Sequence, residues 1–187
     1  RLVEPTSGEV FYRNHNLITL EQNKLRSLRK EMQIIFQDPL ASLNPRKLIK
    51  KILEEPFDIH GFSKSKSKEK EDRVSSLLKR VGLTPDQAEK YPHEFSGGQL
   101  QRIGIARAIA LNPSLIIADE PVSALDVSIR AQIINLLLDL KESMGISYLF
   151  ISHDMTIVRH FCDRVAVMYL GKIVEIADCA SLFNNPH

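Results

Sequence analysis

An α/β fold with a parallel sheet, interrupted by an all-helical insertion, is what the sequence predicts, and three observations carry it. Apolar runs at 32–36, 115–118 and 146–152 alternate with helical patterns, the layout of parallel β-α-β units. The run Leu115, Ile116, Ile117, Ala118 is continuous and bounded by turn chemistry, which suits a strand buried on both faces of a parallel sheet. From Ser42 to about Tyr91, by contrast, helix follows helix and no segment reads as a buried strand.

Taken in order, Arg1 to Glu4 reads as the tail of a helix stopped by Pro5. The segment GEVFYRNHNLITL from Gly8 holds two β-prone runs around Arg13, Asn14 and His15, a hairpin pattern. Glu21 to Lys30 is a short basic helix, and Met32 to Phe36 a strand broken by Gln37, Asp38 and Pro39. Leu48 to Ile59, Val74 to Val81 and Pro85 to Lys90 are the candidate helices of the insertion. Within it SKSKSKEKED is a charge-rich run, read as a solvated loop and helix start.

Glu94 to Pro121 organises the rest. Ser96 is a good N-cap and Gln99 stands three residues on, an S-x-x-Q capping box, with Phe95 and Leu100 placed as a hydrophobic staple. Gly97 and Gly98 leave the first-turn amides uncovered, so a phosphate can approach the positive end of the helix dipole. Two glycines in a first turn cost about 1 kcal/mol each relative to alanine, which calls for some close approach. Asp119 and Glu120 emerge where the apolar run stops, and Pro121 prevents the strand from continuing. Carboxylates at the carboxyl end of a parallel strand are where α/β proteins place their chemistry.

Beyond Pro121, a loop from Ser123 to Asp126 leads into a helix from Ile129 to Met144, with Ile133, Ile134, Leu136, Leu137 and Leu140 as its core stripe and Gly145 as its stop. Ile146 to Ser152 is a strand with His153 directly after it, and Asp154 to Phe161 a helix. Arg164 to Leu170 and Lys172 to Ile176 form a hairpin about Gly171, and Ala180 to Asn184 begins a further helix.

The 187 residues suffice for one substantial core carrying a smaller insertion. A formal net charge of +2 gives no mandate for nucleic acid or an anionic membrane surface. The two cysteines, Cys162 and Cys179, form no C-x-x-C pair or metal-ligand cluster, which fits a reducing compartment. No apolar run reaches membrane-spanning length, so a cytoplasmic location is expected.

Five separated motifs then coincide: FQDP at 36–39, FSGGQ at 95–99, LIIADEP at 115–121, SALD at 123–126 and ISHD at 151–154. Their order and spacing resemble the ATP-binding subunit of an ABC transporter, with its Q-loop, signature motif, Walker B strand, D-loop and switch histidine. FQDPLASLNPR, YPHEFSGGQLQRIGIARAIALNP and ADEPVSALDVSIRAQIINLL resemble the oligopeptide and dipeptide importer branch, in particular the second of its paired ATPases. The resemblance implies a P-loop NTPase-like ATPase core at 1–41 and 95–187, with a helical subdomain at 42–94. Leu100 departs from the basic residue usual after the glutamine. A larger departure is that no G-x-x-x-x-G-K-[ST] occurs; Lys64-Ser65 and Lys66-Ser67 lack the preceding glycine. With Arg1 as first residue, the chain is expected to be a fragment cut just downstream of the P-loop, binding ATP poorly by itself.

By resemblance, Asp119 helps hold magnesium through water, Glu120 is the general base that polarises the attacking water, and Gln37 sits near both. His153 contacts the γ-phosphate, Asp126 couples two ATP sites across a dimer, and Ser96, Gly97, Gly98 and Gln99 close over the opposing subunit's ATP. The alternative for Asp119 and Glu120 is a strand ending in solvated acids; for His153, a polar residue beside a cap; for Gln37 and Asp126, ordinary loop residues; for Ser96 and Gln99, a capping box without ligand. The implied cofactors are ATP and Mg2+. Implied partners are a second ATP-binding subunit, identical or not, transmembrane permease subunits and, indirectly, an extracytoplasmic substrate-binding protein, at the inner face of the cytoplasmic membrane. Two other classes compete: a soluble ABC-type ATPase acting on nucleic acid or ribosomes, disfavoured by the modest charge, and a non-catalytic module lending only its signature face. Importers of nickel or glutathione have similar ATPases.

Overall fold

The computed structural model describes residues 3–61 and 67–184. It begins with a small antiparallel hairpin, β1 (Phe11–Tyr12) and β2 (His15–Asn16). Arg13 and Asn14 between them take φ of 45° and 65°, the paired left-handed residues whose twist suits a two-residue hairpin turn. The Tyr12 hydroxyl meets Glu31 at 3.3 Å and Ser114 at 3.1 Å, and Arg13 pairs with Glu31 at 2.9 Å, mooring the hairpin beside the sheet. The helix tail expected at Arg1 to Glu4 is not seen: Val3 and Glu4 are non-helical, in keeping with the extended bias of a residue before proline, and 1–2 lie outside the described residues.

Helix α1 (Gln22–Leu28) leads into β3 (Met32–Ile35) and the one-turn α2 (Pro39–Ser42). Asp38, expected only as a strand breaker, caps α2: its carboxylate accepts from the Ala41 amide at 3.0 Å, with Pro39 at the first helical position. The insertion contains α3 (Ile49–Ile59), α4 (Ser67–Arg80) and two 3-10 turns at Pro85–Glu89 and Pro92–Glu94. Of the charge-rich run, 63–66 lie outside the described residues and the remainder starts α4, where buried Lys70 pairs with Asp58.

Then come α5 (Gly97–Ile109), β4 (Leu115–Asp119), α6 (Val127–Met144), β5 (Ser147–Ile151), α7 (Met155–Phe161), β6 (Arg164–Tyr169), β7 (Lys172–Asp178) and α8 (Cys179–Asn184). The sheet has three parallel strands in the order β3-β4-β5, with Ile34 beside Ile117 and Ile117 beside Leu149. β6 and β7 form a separate antiparallel hairpin turned through Leu170 and Gly171, at φ 48° and 76°.

One continuous core joins the insertion to the sheet. Helix α5 is its axle, packed against α2, α3, α4, α6 and β3. Ile103 and Ile109 from α5, Leu78 and Phe57 from the insertion, Ile116 from β4 and Ile133 and Leu137 from α6 are all essentially solvent-free. Burying each such side chain is worth about 2 kcal/mol. The α6 stripe is the expected one, and Gly145 ends the helix at φ 65°.

Strand β4 departs from expectation. Ile116 and Ala118 are buried, but Leu115 and Ile117 on its other face are only half-buried, and on the neighbouring β5 Leu149 and Ile151 are 55% and 45% exposed. Ile116 belongs to the core that α5 and α6 also line, whereas the second face of this sheet receives no comparable cover from the described residues.

Candidate functional site

Parallel pairing places the ends of β3, β4 and β5 side by side, since Ile35 lies next to Ala118 and Asp119 next to Ile151. The residues that follow each strand are therefore neighbours although 83 and 33 positions separate them in sequence. Gln37, just after β3, donates its amide to Glu120 Oε2 at 3.1 Å. His153, just after β5, brings Nδ1 to 2.9 Å from Glu120 Oε1. One carboxylate thus holds a side chain from each flanking strand.

The backbone at Glu120 is unusual. Its φ is 44°, a left-handed conformation that costs a non-glycine residue roughly 1–2 kcal/mol. Hydrogen bonds lock it there: the Glu120 amide donates to the Ile151 carbonyl at 3.0 Å, and the Ser123 amide and hydroxyl donate to the Glu120 carbonyl at 3.2 and 3.1 Å. Strain of this kind persists only where surrounding structure over-determines it, and such places are commonly functional.

Consecutive carboxylates serve different spaces. Asp119 lines a cavity of about 720 Å³ with Gln37, Asp38, Phe36, His60 and Arg107. Glu120 lines a much smaller crevice with Ser123, Arg130, Ser152, His153 and Asp154. In the larger cavity, burial lowers the Arg107 guanidinium's affinity for its proton, an effect partly countered by Glu55. His60 is also held below the ordinary histidine value, by burial first and then by Lys30 and Arg26. At the crevice Asp154 is held below the usual aspartate value, chiefly by the Ile157 amide, then by Thr156 and Arg130. Its carboxylate caps α7 through those same two amides.

The Ser96 to Gln99 turn is the expected capping box. The Ser96 amide donates to Gln99 Oε1 at 3.0 Å and the Gln99 amide to Ser96 Oγ at 3.4 Å. Gly98 also has a packing reason of its own. A Cβ on Gly98 would stand 2.5 Å from Ile129 Cγ2, so the close approach there is made by α6, and one on Gly97 would find Leu125 at an ordinary 3.7 Å. Ser96 and Gln99 bond to one another, and Gly97 abuts Leu125 in the loop before α6. Asp126 is exposed at the start of α6, two residues earlier than expected, and its side chain makes no capping bond.

Arg130 was not anticipated. It reaches from α6 to the Leu125 carbonyl and to Asp154 Oδ2, each at 3.2 Å. The only available signal was an arginine one helical turn past Asp126, on a helix whose expected start hid that spacing.

For a magnesium ion the donor set fits in kind. Asp119 supplies a hard carboxylate oxygen at the cavity, and Gln37, donating its amide to Glu120, retains a carbonyl oxygen. Among the described residues no group of three or more His, Cys, Asp or Glu gathers to cage a metal. Magnesium is ordinarily held by one or two carboxylates plus phosphate oxygens and water, so one carboxylate is compatible with it.

A family model described as ABC transporter matches residues 1–123. The oligopeptide transport ATP-binding protein AppF of Bacillus subtilis strain 168 is 56% identical over 187 residues, all of this chain and 56% of that protein. The glutathione import ATP-binding protein GsiA of Escherichia coli strain K12 is 58% identical over 186 residues, covering 100% of this chain and 30% of that protein. The chain therefore spans about half or less of the curated relatives it matches. Among solved structures, the ATP-binding cassette MJ0796, dimeric in a post-hydrolysis state with ADP and Pi, aligns with a TM-score of 0.83 at 31% identity over 95% of this chain and 76% of that one. CbiO1 from Clostridium perfringens, part of the ABC transporter complex CbiONQ, aligns with a TM-score of 0.83 at 28% identity over 98% of this chain and 71% of that one. With the family model covering well over half of the chain and solved ATP-binding cassettes aligning over nearly all of it, the chain belongs to the ABC transporter family, with the fold of an ABC ATPase cassette.

Proposed function

We propose that this chain is part of an ATP-hydrolysing subunit that energises import of peptides across the cytoplasmic membrane, acting peripherally at its inner face with transmembrane permease subunits and a second ATP-binding subunit. The observation that carries the reading is the Gln37, Glu120, His153 cluster, a carboxylate held between two side chains at the open end of the sheet. Glu120 is the general base for water, oriented by Gln37 on one oxygen and His153 on the other. Phosphoryl transfer depends mostly on positioning and charge neutralisation, and such a fixed carboxylate supplies the first. Asp119 and Gln37 would hold Mg2+, which when bound neutralises developing phosphate charge. Asp126 and Ser96 to Gln99 would face the nucleotide across the subunit interface. The proposed division of the chain sets a helical subdomain at 42–94 between ATPase-core segments 1–41 and 95–187.

In the full-length protein, Glu120→Gln should lower ATP hydrolysis by about 100-fold or more, the scale of a lost general base, while nucleotide affinity changes little. Undiminished turnover would remove Glu120 from this role. Oligopeptide import rests on likeness to AppF; glutathione import is a second reading, carried by the 58% identity to GsiA. Competition of labelled glutathione and labelled peptide for uptake by cells expressing the complete transporter separates the two.

A further inference from the structure

The geometry assigns Arg130 as a positioning residue that ties the loop carrying Asp126 to the loop carrying His153, so that the two are held and released together. This rests on the ATPase reading above and deepens it.

Arg130 lies one turn into α6, on the wall of the Glu120 crevice, and its side chain is 30% exposed. One terminal nitrogen donates to the Leu125 carbonyl at 3.2 Å, in the residue before Asp126. The other donates to Asp154 Oδ2 at 3.2 Å, in the residue after His153. A guanidinium has a rigid planar fork, so two acceptors held by its two ends are fixed relative to each other. Lysine has no such fork. The Nε at the base of the fork is buried without a partner among the described residues, so the root of the guanidinium is under cover although the side chain as a whole is 30% exposed.

Both tethered loops are otherwise anchored to the base. Ser123 donates twice to the Glu120 carbonyl, and His153 meets the Glu120 carboxylate. Asp154 is the hinge point of the second loop: one oxygen caps α7 through the Thr156 and Ile157 amides, leaving the other for Arg130. The ionisable groups facing Arg130 at the crevice are Glu120, His153 and Asp154. A closed ring results, from Glu120 through Ser123 and Leu125 to Arg130, then Asp154 and His153, back to Glu120. Displacing His153 therefore pulls on the Asp126 loop through a chain of contacts that includes only one long side chain.

The test uses the full-length protein and four substitutions. Arg130→Met should lower kcat about tenfold or more while KM for ATP stays within about twofold, as expected when positioning rather than binding is lost. Arg130→Lys, able to reach one acceptor but not both, should fall between. Arg130→Met combined with Asp154→Asn should be no slower than Arg130→Met alone, because both break one link. Lys141→Met, on the same helix as Arg130, removes an ion pair with exposed Asp163 in the loop after α7; it is the control and should leave kcat unchanged. Hydrogen–deuterium exchange of Arg130→Met should rise at 124–127 and 153–157 and nowhere else. An unchanged kcat, additive losses in the double variant, or exchange raised across the whole chain would each overturn the assignment. If the unaltered protein does not hydrolyse ATP, the ATPase reading fails first, and the exchange pattern alone decides whether Arg130 links the two loops.

Discussion

Gly98 and Ile129 approach so closely that a Cβ on the glycine would lie 2.5 Å from the isoleucine's Cγ2. The neighbour is not a yielding chain end. Its methyl branches at Cβ, and isoleucine in a helix has one strongly preferred rotamer. Gly98→Ala should therefore cost about 1–2 kcal/mol: overpacking typically costs 1–3 kcal/mol, and the helix preference for alanine returns part of it. Gly97→Ala should be neutral or slightly stabilising, since its Cβ would meet Leu125 at 3.7 Å. Ile129→Ala has a packing cost of its own, and adding Gly98→Ala to that single variant should cost little more. Urea denaturation of the four variants decides it; equal costs at both glycines would dismiss the packing explanation.

Arg107 fastens the segment after Gln37 to the central helix. It donates to the Ser42 carbonyl at 2.6 Å and to the Ser42 hydroxyl at 3.2 Å, where α2 ends. Arg107→Met keeps the apolar stem and removes both bonds, each charge-assisted and part-buried. The expected loss is about 1–3 kcal/mol in urea unfolding, with exchange rising at 39–43 before other segments. Retention of full protection at 39–43 would show that the arginine is not the fastening.

Much of this arrangement is legible in the sequence, for identifiable reasons. The strand positions follow from apolar runs, the hairpins from Arg13-Asn14 and Leu170-Gly171 turns between β-prone residues, and the α6 stripe from its period. The resemblance names Gln37, Glu120 and His153 one by one, and in the fold Gln37 and His153 each bond to Glu120. What escaped is contact between distant elements. The sequence does not show that Ile129, 31 positions after Gly98, packs against it too closely for a Cβ. Arg130 was invisible because its partners Leu125 and Asp154 become neighbours only when the loop before α6 and the cap of α7 meet. Likewise the half-exposed face of β4 cannot be read from a continuous apolar run, which specifies hydrophobicity and not what covers it.

Acidification should weaken the fold through two groups whose folded-state proton affinities are depressed. Asp154 sits below its ordinary value of 3.8, so its contribution is complete above that pH and is lost as pH falls through the folded value. His60 sits below 6.5, so its neutral form is favoured in the fold and its contribution is lost first, as pH drops under 6.5. Urea midpoints from pH 7 to pH 3 should show a smaller loss between pH 7 and 5 for His60→Gln than for the unaltered chain. Below pH 4 the advantage of the unaltered chain over Asp154→Asn should shrink. Parallel curves for all three proteins would contradict both assignments.

Glu120 holds a left-handed backbone at φ 44° without being glycine, and its strain can be measured by comparing two truncations. Glu120→Ala and Glu120→Gly both remove the bonds to Gln37 and His153, so both should abolish hydrolysis in the full-length protein. They differ only at the backbone. In a regular helix or strand the glycine variant is the less stable by about 0.5–1 kcal/mol, because glycine loses more freedom on folding. At this position the order should invert, with Glu120→Gly more stable than Glu120→Ala by about 1 kcal/mol, since alanine keeps the left-handed penalty and glycine does not. The comparison isolates what it costs the chain to aim a carboxylate between Gln37 and His153 instead of letting it continue along β4. Should the alanine variant prove the more stable, the conformation at Glu120 carries no strain and its placement follows from the Ser123 and Ile151 hydrogen bonds alone.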